Sequence, residues 1–168
     1  MQYNKTSMER ADPAPNPSAG GLYSPLLEAA IRLAASAHYR QFRKQLPEEA
    51  CRTDGDLPLP DGCVPYVTHL MGTACILARL GVRDEVVAAA MLHDYLEDVP
   101  DPDGHETIRR VAGEEVLDLV IAVTENKRAE LDATATWETR KKEQIDKIGG
   151  MDPEAVLIKS ADLLHNLQ

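Results

Sequence analysis

Residues 88–100 read "AAAMLHDYLEDVP", and the interpretation of this run decides the fold. Alanine, methionine and leucine without a polar break belong to a helix buried all round, not to one with a wet face. Yet His93, Asp94, Glu97 and Asp98 follow within six positions. Burying an uncompensated carboxylate costs several kcal/mol or forces it to take up a proton. A metal ion, a basic partner or open water must compensate these groups. Residues four apart share a helix face, so His93 stands above Glu97 and Asp94 above Asp98, on stripes about 100° apart.

Working outward, Asp84 caps the start of this helix and Pro100 stops it. Tyr66 to Leu80 predicts a preceding helix that ends at Gly81, with Leu70, Ala74 and Leu77 on an apolar face that His69 interrupts. Further upstream, Ser24-Pro25 supplies an N-cap and a first-turn proline for an amphipathic helix that continues to about Lys44. Pro47, Pro58, Pro60 and two glycines make residues 45–64 a long surface loop. Residues 1–21, rich in Pro, Ser, Asn and Gly, read as a disordered arm ahead of one domain over 22–168.

Downstream, the pattern predicts a short helix near 104–112, another from Glu114 to about Asn126, and a charged one near 133–148 closed by Gly149-Gly150. Asp152-Pro153 opens the last helix, "EAVLIKSADLLHNLQ", where Asp162 and Asn166 lie four apart amid Val156, Leu157, Ile158, Ala161 and Leu164. No alternating strand pattern, internal repeat or sustained heptad occurs. The expected fold is all-α, a compact helical bundle. The chain stops at Gln168 within an unfinished helix, which predicts a C-terminally truncated piece of a longer protein.

The 168 residues suffice for one real core, and with only seven aromatics that core must be Leu, Val, Ile and Ala. A net charge of −10 argues against a nucleic-acid surface, which needs a basic face. No run approaches the ~20 apolar residues of a membrane span, and no signal peptide opens the chain. Cys51, Cys63 and Cys75 stand twelve apart, outside any CxxC pattern. That odd count predicts reduced thiols in a cytoplasmic protein.

Three helices thus carry internal polar anomalies: His69, then His93 with Asp94, then Asp162. Two imidazoles and two carboxylates form a mixed N/O set suited to Mn²⁺, Fe²⁺ or Zn²⁺. Their order, H…HD…D, matches the pattern of HD-domain phosphohydrolases. "AHYRQFRK", "VPYVTHLMGTACILARLG", "VVAAAMLHDYLEDVP" and "AVLIKSADLLHNL" resemble, in order, the hydrolase domain of RelA/SpoT-type alarmone enzymes over roughly residues 25–168. An HD dipeptide alone is weak; HDxxED flanked by the other motifs is specific.

The resemblance implies an HD-domain bundle that removes the 3′-pyrophosphate from ppGpp and pppGpp with Mn²⁺, leaving GDP or GTP. It implies His69, His93, Asp94 and Asp162 as metal ligands and Glu97 and Asp98 as the acidic pair that activates water. Arg43, Lys44, Tyr66 and Asn166 fall on substrate-contacting positions, Tyr66 with packing as an equal role. His38 and His165 match histidines read here as structural. His105 and the run Arg140 to Lys142 read as solvated. The implied partner is a small nucleotide, with neither nucleic acid nor membrane. Leu163 replaces a usual Lys or Arg, Val99 replaces a common threonine, and the 45–64 loop is long. Two alternatives stay open: an HD phosphohydrolase for another nucleotide or phosphate ester, and a non-catalytic nucleotide-sensing module. An intact acidic pair disfavours the module, which has no need to activate water.

Overall fold

A computed structural model describes residues 23–43, 48–51, 59–125, 142 and 146–167. Its helices are α1 (Pro25–Ala37), α2 (Glu48–Cys51), α3 (Val67–Arg79), α4 (Asp84–Leu92), α5 (Tyr95–Asp98), α6 (Gly104–Ala112), α7 (Glu114–Val123) and α8 (Pro153–Asn166). Among the described residues there is no β-strand, only an isolated antiparallel bridge between Phe42 and Pro65. The fold is all-α, as the periodicity predicts. The arm at 1–21, most of the charged helix near 133–148 and half of the 45–64 loop lie outside the described residues. The described part of that loop is not all loop, because Glu48–Cys51 forms α2 where no helix is expected.

Local chemistry sets the helix ends. Ser24 Oγ accepts from the Leu27 amide at 3.3 Å ahead of Pro25, and Asp152 Oδ1 accepts from the Glu154 amide at 2.8 Å ahead of Pro153. After α3, Gly81 takes φ of 71°, the left-handed conformation that favours glycine.

The α4 helix is the hub. Val86 through Leu92 are all buried, and α1, α3, α7 and α8 pack around them. Ala88, Ala89 and Ala90 let neighbouring helices approach from several sides at once, so the apolar run needs no wet face. Leu70, Leu77, Ile108, Leu117, Val120 and Ile158 fill the surrounding core. Leu92, fully buried beside the polar cluster, is the sharpest test of this packing. Leu92→Ala should destabilise the fold by about 2–5 kcal/mol, read from the denaturant midpoint at unchanged slope.

At the other end of α4, Arg83 ties three helix starts together. Its guanidinium donates to both carboxylate oxygens of Glu154, at 2.7 and 2.5 Å, and to Glu115 at 2.6 Å. The cluster is exposed, so it fixes register more than it stabilises.

Three further expectations need correction. The first helix ends at Ala37, not near Lys44. Beyond it the Arg43 amide donates to the Val64 carbonyl at 2.8 Å and the Tyr66 amide to the Gln41 carbonyl at 2.8 Å, so residues 41–43 run extended beside 64–66. The helix of the opening motif is interrupted at His93 and Asp94. There the His93 ring Nδ1 lies 2.7 Å from the Ala90 carbonyl and competes for the acceptor that a continuous helix gives to the residue 94 amide. Finally, Cys51 and Cys63 are paired as a disulfide with their Cα atoms 5.4 Å apart, whereas Cys75 is free and exposed. Counting an odd number of cysteines could not reveal that loop closure brings these two into bonding range. No helix among the described residues is long and apolar enough to cross a membrane.

Candidate metal centre

The interruption at His93 and Asp94 lies where α4, α3 and α8 meet. Each contributes through the logic of its own sequence. In α3, His69 occupies the first turn on the face that buries Leu70 and Thr73. In α8, Asp162 follows the buried Ala161 and lies near the helix end. The segment 41–43, pinned against 64–66, brings Arg43 and Tyr66 to the same corner.

His69, His93 and Asp94 each present one ligand atom within 4.8 Å of the others. Asp162 completes the group: its Oδ1 lies 3.1 Å from His69 Nε2 and 3.7 Å from His93 Nε2. Asp94 Oδ2 stands 3.2 Å from His93 Nε2 and 3.9 Å from His69 Nε2. Both imidazoles are 2% exposed, too buried to find solvent as an alternative partner.

His93 Nε2 nevertheless has no aligned hydrogen-bond partner, although two carboxylates crowd it. Close approach without alignment is what ligand atoms arranged around a common centre give. Nδ1 of the same ring is occupied at the Ala90 carbonyl, which leaves the Nε2 lone pair for a cation when the ring is neutral. The donor set of two imidazoles and two carboxylates fits a first-row divalent ion.

The electrostatics agree. Burial opposes charge on His93, but Asp162 and Asp94 outweigh it and hold the imidazole well above its ordinary value. Burial would raise Asp94, yet His93 and the Tyr66 hydroxyl bring it down to about 2. Asp162 is likewise lowered against its burial by His69 and His93. Without an ion, the proton held on His93 offsets carboxylate charge.

Tyr66, His38, Gln41, Asn166 and Arg43 connect to this group through hydrogen bonds and a ring contact, and Glu97 makes a separate bond. Tyr66 Oη donates to Asp94 Oδ2 at 2.5 Å, and its ring stacks on His38, 5.5 Å between centroids. Burial and the Asp94 charge raise the phenol, keeping it a donor. Asn166 Nδ2 donates to Asp162 Oδ1 at 2.7 Å, while Asn166 Oδ1 accepts from Arg43 Nη2 at 3.0 Å. Glu97 is half-buried in α5, and its Oε1 accepts from the Glu125 amide at 2.7 Å. The Asp98 carbonyl accepts from Gln41 Nε2 at 3.0 Å, and Gln41 Oε1 lies 2.6 Å from His38 Nδ1.

Of the residues singled out from the sequence, His69, His93, Asp94 and Asp162 meet directly; Tyr66, Asn166 and Arg43 join them through hydrogen bonds. Lys44 lies outside the described residues, as do Arg140 and Lys141, while His105 and Lys142 are exposed. Gln41 and His165 were missed as participants. Gln41 carries no signal in a single sequence. His165 did carry one, three residues beyond Asp162 on a helix that delivers a ligand candidate, and its Nδ1 lies 3.0 Å from His69 Nδ1.

An all-α bundle holding this His/Asp cluster defines a class, and residues 59–168 match the HD domain family, so the chain belongs to the HD-domain family. Its relatives are narrower in kind. The chain is 39% identical over 145 residues to a probable GTP pyrophosphokinase of Mycobacterium leprae (strain TN), covering 85% of this chain and 16% of that protein. It is 33% identical over 110 residues to a guanosine-3′,5′-bis(diphosphate) 3′-pyrophosphohydrolase of Haemophilus influenzae, covering 62% of this chain and 15% of that protein. It therefore spans only about one-sixth of the length of these curated relatives. A solved structure described as a metazoan ortholog of SpoT that hydrolyzes ppGpp superposes with a TM-score of 0.68 at 30% identity. That match covers 88% of this chain and 71% of the other. These relatives bear out the RelA/SpoT-type resemblance.

Proposed function

We propose that this chain is a Mn²⁺-dependent 3′-pyrophosphohydrolase of ppGpp and pppGpp, releasing pyrophosphate and leaving GDP or GTP. One observation carries the reading: two imidazoles and two carboxylates converge around a buried, unpartnered His93 Nε2, with Arg43 linked to Asp162 through Asn166. Likeness to a ppGpp-hydrolysing structure along most of both chains supports it.

His69, His93, Asp94 and Asp162 hold the ion, and their N/O character suits Mn²⁺. When bound, the ion offsets phosphate charge and makes a coordinated water more acidic. Glu97 accepts the proton of the attacking water, and Asp98 flanks it in the same short helix. The water oxygen bonds to the phosphorus attached at the ribose 3′ oxygen. As that P–O bond breaks, its electron pair stays with the ribose oxygen, to which Glu97 can return the proton. Tyr66 holds Asp94 in place, and Arg43 with Asn166 faces the phosphates. Lys44, next to Arg43 in the sequence, is assigned the same substrate contact by the resemblance alone.

The deciding experiment is a substrate panel with added Mn²⁺. Pyrophosphate released from ppGpp, well ahead of phosphate from any other nucleotide, is the expected result. Faster turnover of another phosphate ester would move the chain to the broader HD phosphohydrolase reading. Binding of ppGpp with no turnover at all would make it a sensing module.

Arg43 gives a second check. Charge-assisted hydrogen bonds to phosphate contribute about 1.5–3 kcal/mol each, so replacing Arg43 and Lys44 together with alanine should raise KM for ppGpp by about 10–100-fold. Metal content should not change. An unaltered KM would assign both residues to the solvated surface.

A further inference from the structure

We propose that His165 is a positioning residue for the metal centre: it fixes which nitrogen of His69 carries the ring proton, and Gly72 exists to admit it. The inference rests on the metal reading above but concerns a residue that no ligand motif identifies.

The two candidate ligand histidines are held differently. Nδ1 of His93 meets the carbonyl of Ala90 at 2.7 Å, an acceptor that can only receive a proton. A backbone carbonyl thus settles the tautomer of that ring. Nδ1 of His69 instead meets another imidazole nitrogen, Nδ1 of His165, at 3.0 Å, with the two rings 4.9 Å apart and tilted by 59°. Two ring nitrogens at this distance need one proton between them: two protons repel, and none leaves facing lone pairs. Nε2 of His69 faces Asp162 and Asp94. An ion held on Nε2 therefore requires the His69 proton on Nδ1, His165 Nδ1 as its acceptor and the His165 proton on Nε2.

The far side of the His165 ring explains a glycine in the middle of α3. A Cβ built on Gly72 would lie 2.1 Å from His165 Nε2 and 2.3 Å from its Cδ2. No side chain fits there while the ring stays. Gly72 sits one turn beyond His69, so the slot that admits His165 and the nitrogen that it faces belong to the same helix face. Asp162 lies one turn before His165 on α8. A single ring thereby joins the α3 ligand to the helix that delivers the α8 ligand.

The test uses the whole chain with three variants, His165→Phe, His165→Asn and Gly72→Ala. Mn²⁺ affinity is measured by electron paramagnetic resonance of the free ion, the Co²⁺ visible spectrum reports ligand geometry, and far-UV circular dichroism reports the metal-free fold. Phe keeps ring bulk without an acceptor, whereas the Asn carbonyl oxygen can stand near the Nδ1 position. Loss of such an outer partner costs about 10–100-fold in metal affinity, so His165→Phe should lose that much and shift the Co²⁺ bands, while His165→Asn stays within about threefold. Gly72→Ala should behave as His165→Phe does, because it expels the ring.

Long-range ¹⁵N–¹H correlation on the unmutated, Zn²⁺-loaded chain gives an independent reading, expected to show the His165 proton on Nε2. A proton on Nδ1 there, or an unchanged Mn²⁺ affinity and Co²⁺ spectrum in folded His165→Phe, would overturn the proposal. Should His165→Phe fail to fold, the correlation spectrum decides alone. A wild-type chain that binds no ion would remove both this proposal and the metal reading. Tight ion binding with the expected tautomer but no ppGpp hydrolysis would uphold His165 and reject the substrate.

Discussion

Glu97→Gln is expected to keep its metal and its fold while kcat for ppGpp falls by about 10²–10⁴-fold, the usual contribution of a positioned general base. The geometry makes this substitution unusually clean. Glu97 Oε1 accepts the Glu125 amide proton at 2.7 Å, linking α5 to the residue just beyond α7. A glutamine carbonyl can accept the same bond, so the side chain stays oriented. What the amide cannot do is take a proton from water. The measurements are metal stoichiometry, thermal midpoint and single-turnover rate. Asp98→Asn, in the same helix, should cost less if Asp98 orients the site and as much if the pair acts as a unit. Metal loss in Glu97→Gln would make Glu97 a ligand and end the division of labour. Full activity would route the reaction through another base.

How far the sequence reveals this arrangement depends on the range of the interaction. The longer helices and the central position of α4 were legible because burial on all sides leaves an all-apolar run, and because caps such as Ser24 and Asp152 act within three residues. The short α2, by contrast, fell in a stretch read as loop. The convergence of His69, His93, Asp94 and Asp162 was legible because a polar group inside an apolar helix demands a partner. The early end of α1 was not, since Gln41 and Arg43 are drawn off by Val64 and Tyr66, more than twenty residues away. Nor was the break at His93, where a side chain competes with the backbone for one carbonyl. The Cys51–Cys63 pair and the partner roles of Gln41 and His165 depend on three-dimensional approach between segments whose local patterns are silent. Tyr66 lay between these cases. Resemblance suggested a nucleotide contact, and the hydroxyl engages Asp94.

Asp94→Ala should have the opposite profile to Glu97→Gln: metal, stability and activity fall together. Asp94 Oδ2 receives the Tyr66 hydroxyl at 2.5 Å and stands 3.2 Å from His93 Nε2. Removing it deletes one of four proposed ligands, so Mn²⁺ affinity should drop by more than the about 10–100-fold that an outer-sphere partner costs. It also strands the half-buried Tyr66 hydroxyl, a loss of about 1–3 kcal/mol in the metal-free fold. The pH dependence tests whether the folded-state charge is the reason. His93 and Tyr66 hold the Asp94 carboxyl at about 2, below its ordinary 3.8. A lowered value stabilises the fold at pH above the ordinary value, and the contribution disappears as pH falls toward the folded one. In chelator-treated protein, the stability gap between wild type and Asp94→Ala should therefore narrow on acidification from about pH 4 to about pH 2. Denaturant midpoints across that window measure the gap. A gap independent of pH would mean that Asp94 contributes through packing and its hydroxyl partner alone. His93 would then have to be neutral in the metal-free site, leaving Asp94 without the compensation derived for it.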